Sequence, residues 1–116
     1  MNIFYANRLN NFEHLYVASS QYEKWLNYQD ALLYVAMLEI DGYTDWTLPT
    51  GECLDSIRVM QNYDNIPKKF KLNKNHAYST AHPNIMKIYN TSKKQLTTVY
   101  SDAFHVGWIR PVRIVK

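Results

Sequence analysis

The spacing of apolar and polar residues predicts two short strands at the start of the chain and a helix after them. The runs 3–6 and 15–18 are apolar and flank a polar turn at 10–11, which is the pattern of strands joined by a turn. From residue 28 to residue 40 the chain is apolar almost all round, and such a helix is expected to be buried on more than one side. Asn27 is its predicted N-cap, because an Asn side chain accepts a hydrogen bond from the first turn.

A sharp corner separates this helix from a second one. Asp41 and Gly42 are expected to end the first helix, since Gly readily adopts the left-handed conformation that terminates helices. The following residues include a Pro that cannot continue a strand and a Thr that caps a helix, in the segment Gly42-Tyr43-Thr44-Asp45-Trp46-Thr47-Leu48-Pro49-Thr50. The second helix is predicted from Thr50 to Asn62, where one buried face recurs every three to four positions: Leu54, Ile57 and Met60 or Gln61.

The second half of the chain predicts mainly strands. A polar and basic surface loop is expected from residue 64 to residue 76, with Pro67 interrupting it. Five strands are predicted beyond it, over 77–80, 85–89, 95–100, 103–106 and 109–115, with 90–93 as a hairpin connection. Helices in the first half and strands in the second indicate a single α+β domain over residues 1–116, with two helices packed on a small antiparallel sheet.

Composition narrows the class of protein further. The chain has 116 residues, of which 47% are hydrophobic, so it is long and apolar enough to form one globular core. A net charge of +3 is compatible with an acidic partner and does not demand one. Cys53 is the only cysteine, which excludes an internal disulfide framework and a Cys-based zinc cluster. The first residues lack the pattern of a secretory signal and no run reaches the roughly 20 apolar residues of a membrane span, so a reduced cytoplasmic protein without membrane contact is expected.

Four motifs occur in order along the chain and together resemble a known family. They are Tyr28-x-Asp30-Ala31, Gly42-Tyr43-x-Asp45-Trp46-x-Leu48-Pro49-Thr50, Tyr78-Ser79-Thr80 and Arg110-Pro111-Val112-Arg113. The combination resembles the Lcl C-terminal domain family of bacterial and phage proteins. The resemblance implies a C-type-lectin-like fold in which the motif residues are structural: Gly42, Asp45, Trp46, Leu48, Pro49, Thr50, Arg110, Pro111 and Arg113.

The chain departs from the family pattern at two positions. Thr47 stands where the family usually has Arg, and Cys53 stands where it usually has Glu. A Thr followed three residues later by Glu would form a capping box, and only the Thr50 half of it remains. The chain is therefore identified as a divergent member of this family, bacterial or phage in origin.

Each candidate catalytic or metal-binding residue has a structural interpretation that we favour. Cys53 in the first turn of a helix could act as a nucleophile, but on an apolar helix a buried thiol is expected. The resemblance does not imply formylglycine-generating activity, because enzymes of that kind in the same superfold use a pair of cysteines. His76, His82 and His105 with Asp102 lack the spacing of a metal site, so satisfied or exposed histidines are expected. We expect no metal, no cofactor and no catalytic activity.

The residues expected to contact a partner lie on the basic loop and on two strands. They are Lys68, Lys69, Phe70, Lys71 and Lys74 in the loop, with Tyr89 and Tyr100 on the strands. Lysines give charge attraction without the shape-specific contacts of arginine. Arg110 and Arg113 are expected on opposite faces of a closing strand, paired with carboxylates such as Asp45 or Glu52.

The expected function is non-enzymatic recognition of a protein partner, with an acidic face as one option for that partner. A composition rich in Asn, Lys and Tyr suits a phage accessory protein or a host-directed inhibitor, acting in the cytoplasm of a bacterial host. The alternatives are a glycan-binding module of an adhesin or virion and, with less support, a nucleic-acid binder that uses the loop 68–76. A homo-oligomer formed through an open edge strand is a further option.

Overall fold

The computed structural model describes residues 1–63, 66–102 and 104–116, which form two helices and eight strands. The helices are α1, Tyr28–Met37, and α2, Gly51–Asn62. The strands are β1 Ile3–Arg8, β2 His14–Ala18, β3 Lys24–Asn27, β4 Ala77–Ser79, β5 Ile85–Asn90, β6 Gln95–Tyr100, β7 Val106–Ile109 and β8 Val112–Val115. Single 3-10 turns lie at Ser20–Tyr22 and Lys68–Phe70. The α+β class predicted from the sequence is confirmed.

The strands form two sheets, so the prediction of one small antiparallel sheet is wrong. The first sheet has the order β1-β2-β8 and joins the beginning of the chain to its end by antiparallel pairing. The second has the order β3-β7-β4-β5-β6 and is antiparallel except between β4 and β7, which run parallel. β3 was not predicted at all, although it leads directly into α1.

Helix α1 begins as predicted but is buried on one side only. The Asn27 side chain accepts a hydrogen bond of 2.8 Å from the Asp30 backbone N–H, which confirms the predicted cap. The helix contacts β3 and β7, and its buried residues are Ala31 and Val35. Leu33 is 60% exposed and Met37 76% exposed, so the expectation of burial on more than one side is wrong.

The corner after α1 has the left-handed backbone that the sequence predicts, although the helix ends before it. The last helical residue is Met37, and Gly42 has a φ of 88°, with Asp41 at 53° before it. Backbone hydrogen bonds between Ile40 and Tyr43 close this turn. Left-handed residues reverse the chain here and direct it towards α2.

Helix α2 confirms its predicted start, buried face and end. The Thr50 hydroxyl accepts a hydrogen bond from the Cys53 backbone N–H at 3.2 Å. The buried residues are Cys53, Leu54, Ile57 and Gln61, spaced as one face of a helix. Within the described residues, neither helix is both long enough and apolar enough to cross a membrane.

The segment 66–76 contributes to the core, which contradicts its description as a surface loop. Ile66, Phe70 and Leu72 are buried in one cluster with the apolar face of α2. The Gln61 side chain accepts a hydrogen bond from the Leu72 backbone N–H at 2.7 Å and fixes the segment against the helix. The positions 64 and 65 of the predicted loop lie outside the described residues.

The last two predicted strands are displaced from the observed ones. The strand predicted over 103–106 begins at Val106 in the structure, and position 103 lies outside the described residues. The strand predicted over 109–115 is divided at Arg110 and Pro111, because Pro lacks the N–H that a continuous ladder needs. The hairpin connection after β5 is confirmed, since the Asn90 side chain accepts hydrogen bonds from the backbone of Ser92 and Lys93.

Candidate functional site

The four motif segments, although far apart in the sequence, meet at one joint of the fold. The Tyr28 hydroxyl donates to the Ala81 carbonyl at 3.0 Å, and the Ala81 N–H donates to the Pro49 carbonyl at 2.7 Å. Thr47 and Val112 exchange two backbone hydrogen bonds of 2.8 and 3.1 Å. These bonds connect the start of α1, the corner, the end of β4 and the start of β8. Backbone groups in or directly beside the four motif segments therefore link these segments to one another.

Arg110 is fully buried, and its guanidinium is surrounded by polar partners from several parts of the chain. Its guanidinium lies 3.1 Å from a carboxylate oxygen of Glu23 and donates to the backbone carbonyls of Phe70 and Lys71 at 3.2 and 2.9 Å. The other oxygen of Glu23 lies 2.8 Å from Nδ1 of His76. Arg110 is thus paired with a carboxylate, as expected from the sequence, but the partner is Glu23 and neither Asp45 nor Glu52.

Arg113 points to the opposite side and pairs with Asp45, as the sequence predicts. Its guanidinium donates two hydrogen bonds to the Asp45 carboxylate, one of them 3.1 Å long. These bonds lower the pKa of Asp45 below its ordinary value and raise that of Arg113. The guanidinium carbon also lies 3.9 Å from the centre of the Tyr43 ring, within the range of a cation–π contact. Arg113 is therefore held on two sides at the surface of the protein.

Three tyrosines and Arg113 form a row on the outer face of the first sheet. Tyr5 on β1 lies directly opposite Tyr16 on β2, which lies opposite Arg113 on β8. The rings of Tyr5 and Tyr16 are 5.2 Å apart, and Tyr43 covers the guanidinium from the corner after α1. We call the residues lining this concave surface the tyrosine face: Ile3, Tyr5, Tyr16, Tyr43, Arg113 and Val115, with Asp41 at the rim.

The tyrosine face forms an open depression with a volume of about 460 Å³. Tyr5 and Tyr43 are both exposed, and the hydroxyl of Tyr5 lies 3.1 Å from Nδ1 of His14. Rings with one polar atom, an arginine and a rim carboxylate allow both apolar contact and hydrogen bonding. His14 and Tyr16 alternate with the buried Leu15 and Val17, which is the local sequence signal for this face, and no site was predicted from it. The signal did not reveal which strands lie beside it.

The residues predicted to contact a partner are only partly brought together, since Lys71, Lys74 and Tyr89 line one small depression and the others lie elsewhere. Phe70 is 1% exposed and stacks on the ring of Phe4, and Tyr89 is 4% exposed, so neither is available to a partner. Lys68, Lys69 and Lys74 are exposed as expected, and Lys71 is half-buried. Tyr100 is 82% exposed, but it lies on β6 at the outer edge of the second sheet.

The residues weighed for catalysis or metal binding have structural surroundings. Cys53 is fully buried, and burial raises the pKa of its thiol in spite of its place at the start of α2. The His76 ring stacks on the Trp108 ring with 3.8 Å between their centres and lies beside Glu23. Among residues 1–63, 66–102 and 104–116, no group of three or more His, Cys, Asp or Glu side chains is placed to hold a metal ion.

Comparison of the chain with known proteins found no similar protein. No family model, no curated protein and no solved structure matches it. The resemblance to the Lcl C-terminal domain family therefore stays a prediction from the four motifs, and the tyrosine face is defined by geometry alone.

Proposed function

We propose that this chain is a non-enzymatic recognition domain that binds a protein partner through the tyrosine face. Tyr and Arg are enriched among the residues that dominate the energy of protein interfaces. A Tyr side chain offers a large apolar ring and a hydroxyl at a low cost in conformational entropy. The row from Tyr5 through Tyr16 to Arg113, with Tyr43 above it, is the observation that carries the proposal.

The geometry of the face supports binding with little rearrangement. Five of its residues lie on the paired strands β1, β2 and β8, and Arg113 is fixed by Asp45 and by the Tyr43 ring. A side chain already held in one conformation loses less freedom when a partner binds, so more of the contact energy remains as affinity. Asp45 and the Tyr43 ring occupy part of the Arg113 guanidinium. A partner is therefore expected to make most of its contacts with the tyrosine rings.

We further propose a C-type-lectin-like architecture for the scaffold, as the family resemblance implies. Its support is the joint at which all four motif segments meet through Ala81, Pro49, Thr47 and Val112. In this proposal the joint holds the corner that carries Asp45 and Tyr43 beside the outer strand β8. The bonds that stabilise the scaffold thus also position Tyr43 and Asp45 of the corner beside Arg113. A phage accessory protein or a host-directed inhibitor would use such a face on a protein of its bacterial host.

The decisive experiment is affinity capture from a bacterial lysate with matched variants. Tyr16→Ala removes the middle of the row, and Arg113→Ala removes its end. Tyr63→Ala is the control, because this ring lies at the end of α2, is 71% exposed and is outside the tyrosine face. A partner of the tyrosine face is retained by the original chain and by Tyr63→Ala and is lost with the other two. Proteins lost equally with all three variants, or with none, would contradict the proposal.

The glycan-binding alternative rests on the same cavity. Exposed tyrosine rings beside the carboxylate of Asp41 and the imidazole of His14 offer stacking and hydrogen bonding to a sugar ring. Binding to an oligosaccharide array, abolished by Tyr16→Ala, would favour this alternative over a protein partner. The nucleic-acid alternative loses its stacking group because Phe70 is buried, and the exposed lysines leave it charge attraction alone.

A further inference from the structure

Strand β6 is an open sheet edge without the devices that usually protect such edges. Its six residues, Gln95–Tyr100, contain no charged residue, no Pro and no Gly. All six pair with β5 in a regular register without a bulge. Natural proteins protect exposed edges with lysines, prolines, bulges or short strands, because an unprotected edge pairs with another chain.

The other edge strands carry such protection. β1 has an irregular register between Tyr5 and Asn7 and ends in Arg8. β3 is four residues long and begins with Lys24. β8 is also four residues long, carries Arg113, and makes a bridge to Thr47 beside it. β6 therefore differs from every other edge of the two sheets in the described part of the chain.

The backbone groups that point outward from β6 follow from its pairing with β5. The Ser101 N–H donates to the Asn84 carbonyl, and this pair continues the register of the strands, so it is a hydrogen-bonded pair. Hydrogen-bonded and non-hydrogen-bonded pairs alternate along antiparallel strands. Consequently Gln95, Thr97 and Val99 direct their backbone groups to β5. Leu96, Thr98 and Tyr100 direct theirs away from the sheet.

The geometry points to a homodimer in which β6 of one copy pairs antiparallel with β6 of a second copy, around a two-fold axis at Thr98. This register uses all three outward-facing residues, with Thr98 opposite Thr98 and Leu96 opposite Tyr100 of the second copy. A hydrogen-bonded antiparallel pair exchanges two bonds, so about six backbone bonds would form. The two five-stranded sheets would become one continuous ten-stranded sheet.

Charge and exposed apolar area both favour this register. Lys94 precedes β6 in a left-handed turn, with a φ of 51°, and Asp102 follows the strand, so the axis at Thr98 brings the Lys94 end of each β6 beside the Asp102 end of the other. An axis at Thr97 would instead place Lys94 opposite Tyr100 and leave both charges without that partner. Beside the edge, Val99 is partly exposed and Tyr100 is 82% exposed, and pairing would cover both. A symmetric, self-complementary patch is the form that a two-fold interface requires.

The first test is the mass of the protein in solution. Sedimentation or light scattering over a roughly hundredfold concentration range is expected to give twice the 13.7 kDa of one chain at the upper end. Thr98→Lys places two ammonium groups opposite each other and is expected to raise the dimer Kd at least about tenfold. Thr98→Ser, which adds no charge, should leave the dimer intact. A monomer at all concentrations, or a dimer that Thr98→Lys does not weaken, would overturn the proposal.

A second test reads the register and does not depend on the stability of the lysine variant. Residues in a hydrogen-bonded antiparallel pair have Cα atoms about 5.5 Å apart, within the range that a disulfide spans. Thr98→Cys is therefore expected to form an intermolecular disulfide under mild oxidation, while the native Cys53 stays buried. Thr97→Cys faces Val99 of the second copy and should not form one. Equal or preferential cross-linking through Thr97→Cys would show that the register is different.

Discussion

Arg113 and Asp45 lie 68 residues apart in the chain and form a two-bond ion pair at the surface. The pair connects β8 to the corner after α1, and it brings the Tyr43 ring over the guanidinium. Arg110, only three residues earlier, turns into the interior and pairs with Glu23. Two neighbouring arginines thus stabilise the same end of the chain, one paired with an exposed carboxylate near the surface and one enclosed by protein.

The Asp45–Arg113 pair predicts a pH-dependent contribution to stability. The hydrogen bonds from Arg113 lower the pKa of Asp45 in the folded protein below its ordinary 3.8. The stabilisation is therefore fully present above about pH 4 and is lost as the pH falls through the lowered pKa. Because Asp45 is largely exposed, the effect at neutral pH is expected to be no more than about 1 kcal/mol. Urea unfolding of the original chain and of Asp45→Asn at about pH 7 and about pH 2 measures it; an equal difference at both pH values would contradict the prediction.

Arg110 is expected to matter far more for stability than Arg113. Arg110→Met leaves the Glu23 carboxylate buried without its guanidinium and removes the donors to the Phe70 and Lys71 carbonyls. Breaking a buried ion pair in this way costs about 3–5 kcal/mol. Arg113→Met is the matched control, and its exposed pair should account for about 1 kcal/mol or less. The free energies of urea unfolding of the two variants give the comparison, and equal values would refute the assigned roles.

The helix starts could be predicted because their determinants are local. Asn27 and Thr50 each accept a hydrogen bond from the third residue of their own first turn, so a few neighbouring residues contain all the information. The burial of α1 could not be predicted in the same way. Leu33 and Met37 are as apolar as buried helix residues, and their exposure depends on which elements of the fold cover the helix.

The burial of Phe70 and Leu72 could not be predicted from the average composition of the basic segment, which is polar. Lysines at 68, 69, 71 and 74 make the segment polar as a whole, whereas Phe70 and Leu72 between them are directed into the core. Amphipathic alternation over so few residues is a weak signal, and only the contact with α2 shows its direction. A hydrophobic residue among lysines was consequently interpreted as part of a binding loop, although it is a core residue.

The tyrosine face depends on pairing between distant strands. Tyr5 and Tyr16 become neighbours through the β1–β2 register, and Arg113 joins them from near the end of the chain. Each strand predicts which of its residues share a face, but not which strand lies beside it. The same reason explains why Glu23 was not identified as the partner of Arg110, since no motif marks it in the sequence.

Cys53 is predicted to be unreactive while the protein is folded. The thiol is fully buried, and burial raises its pKa, so neither access nor the thiolate form favours attack on a reagent. An aromatic disulfide reagent at about pH 8 should therefore label the folded chain only slowly and should label one thiol per chain in urea. Rapid labelling without denaturant would show that Cys53 is accessible and would reopen its assignment as a structural residue.

Gly107 is predicted to be intolerant of a side chain because β7 lies between two neighbouring strands at this point. A Cβ atom at this position would lie too close to the Ser79 hydroxyl and 3.2 Å from the end of Met86. Gly107→Ala is expected to cost about 1–3 kcal/mol, as overpacking of a core does.

The Ser79 hydroxyl is the nearest obstacle, so Ser79→Ala provides the control for this clash. The double variant Gly107→Ala/Ser79→Ala should lose less stability than the sum of the two single variants, because the closest contact no longer exists. Met86 ends in a long flexible side chain that moves more easily than the Ser79 hydroxyl, which is only one bond away from Cβ. Urea unfolding of all three variants measures the coupling; strictly additive losses would mean that the Ser79 hydroxyl is not what excludes a side chain at Gly107.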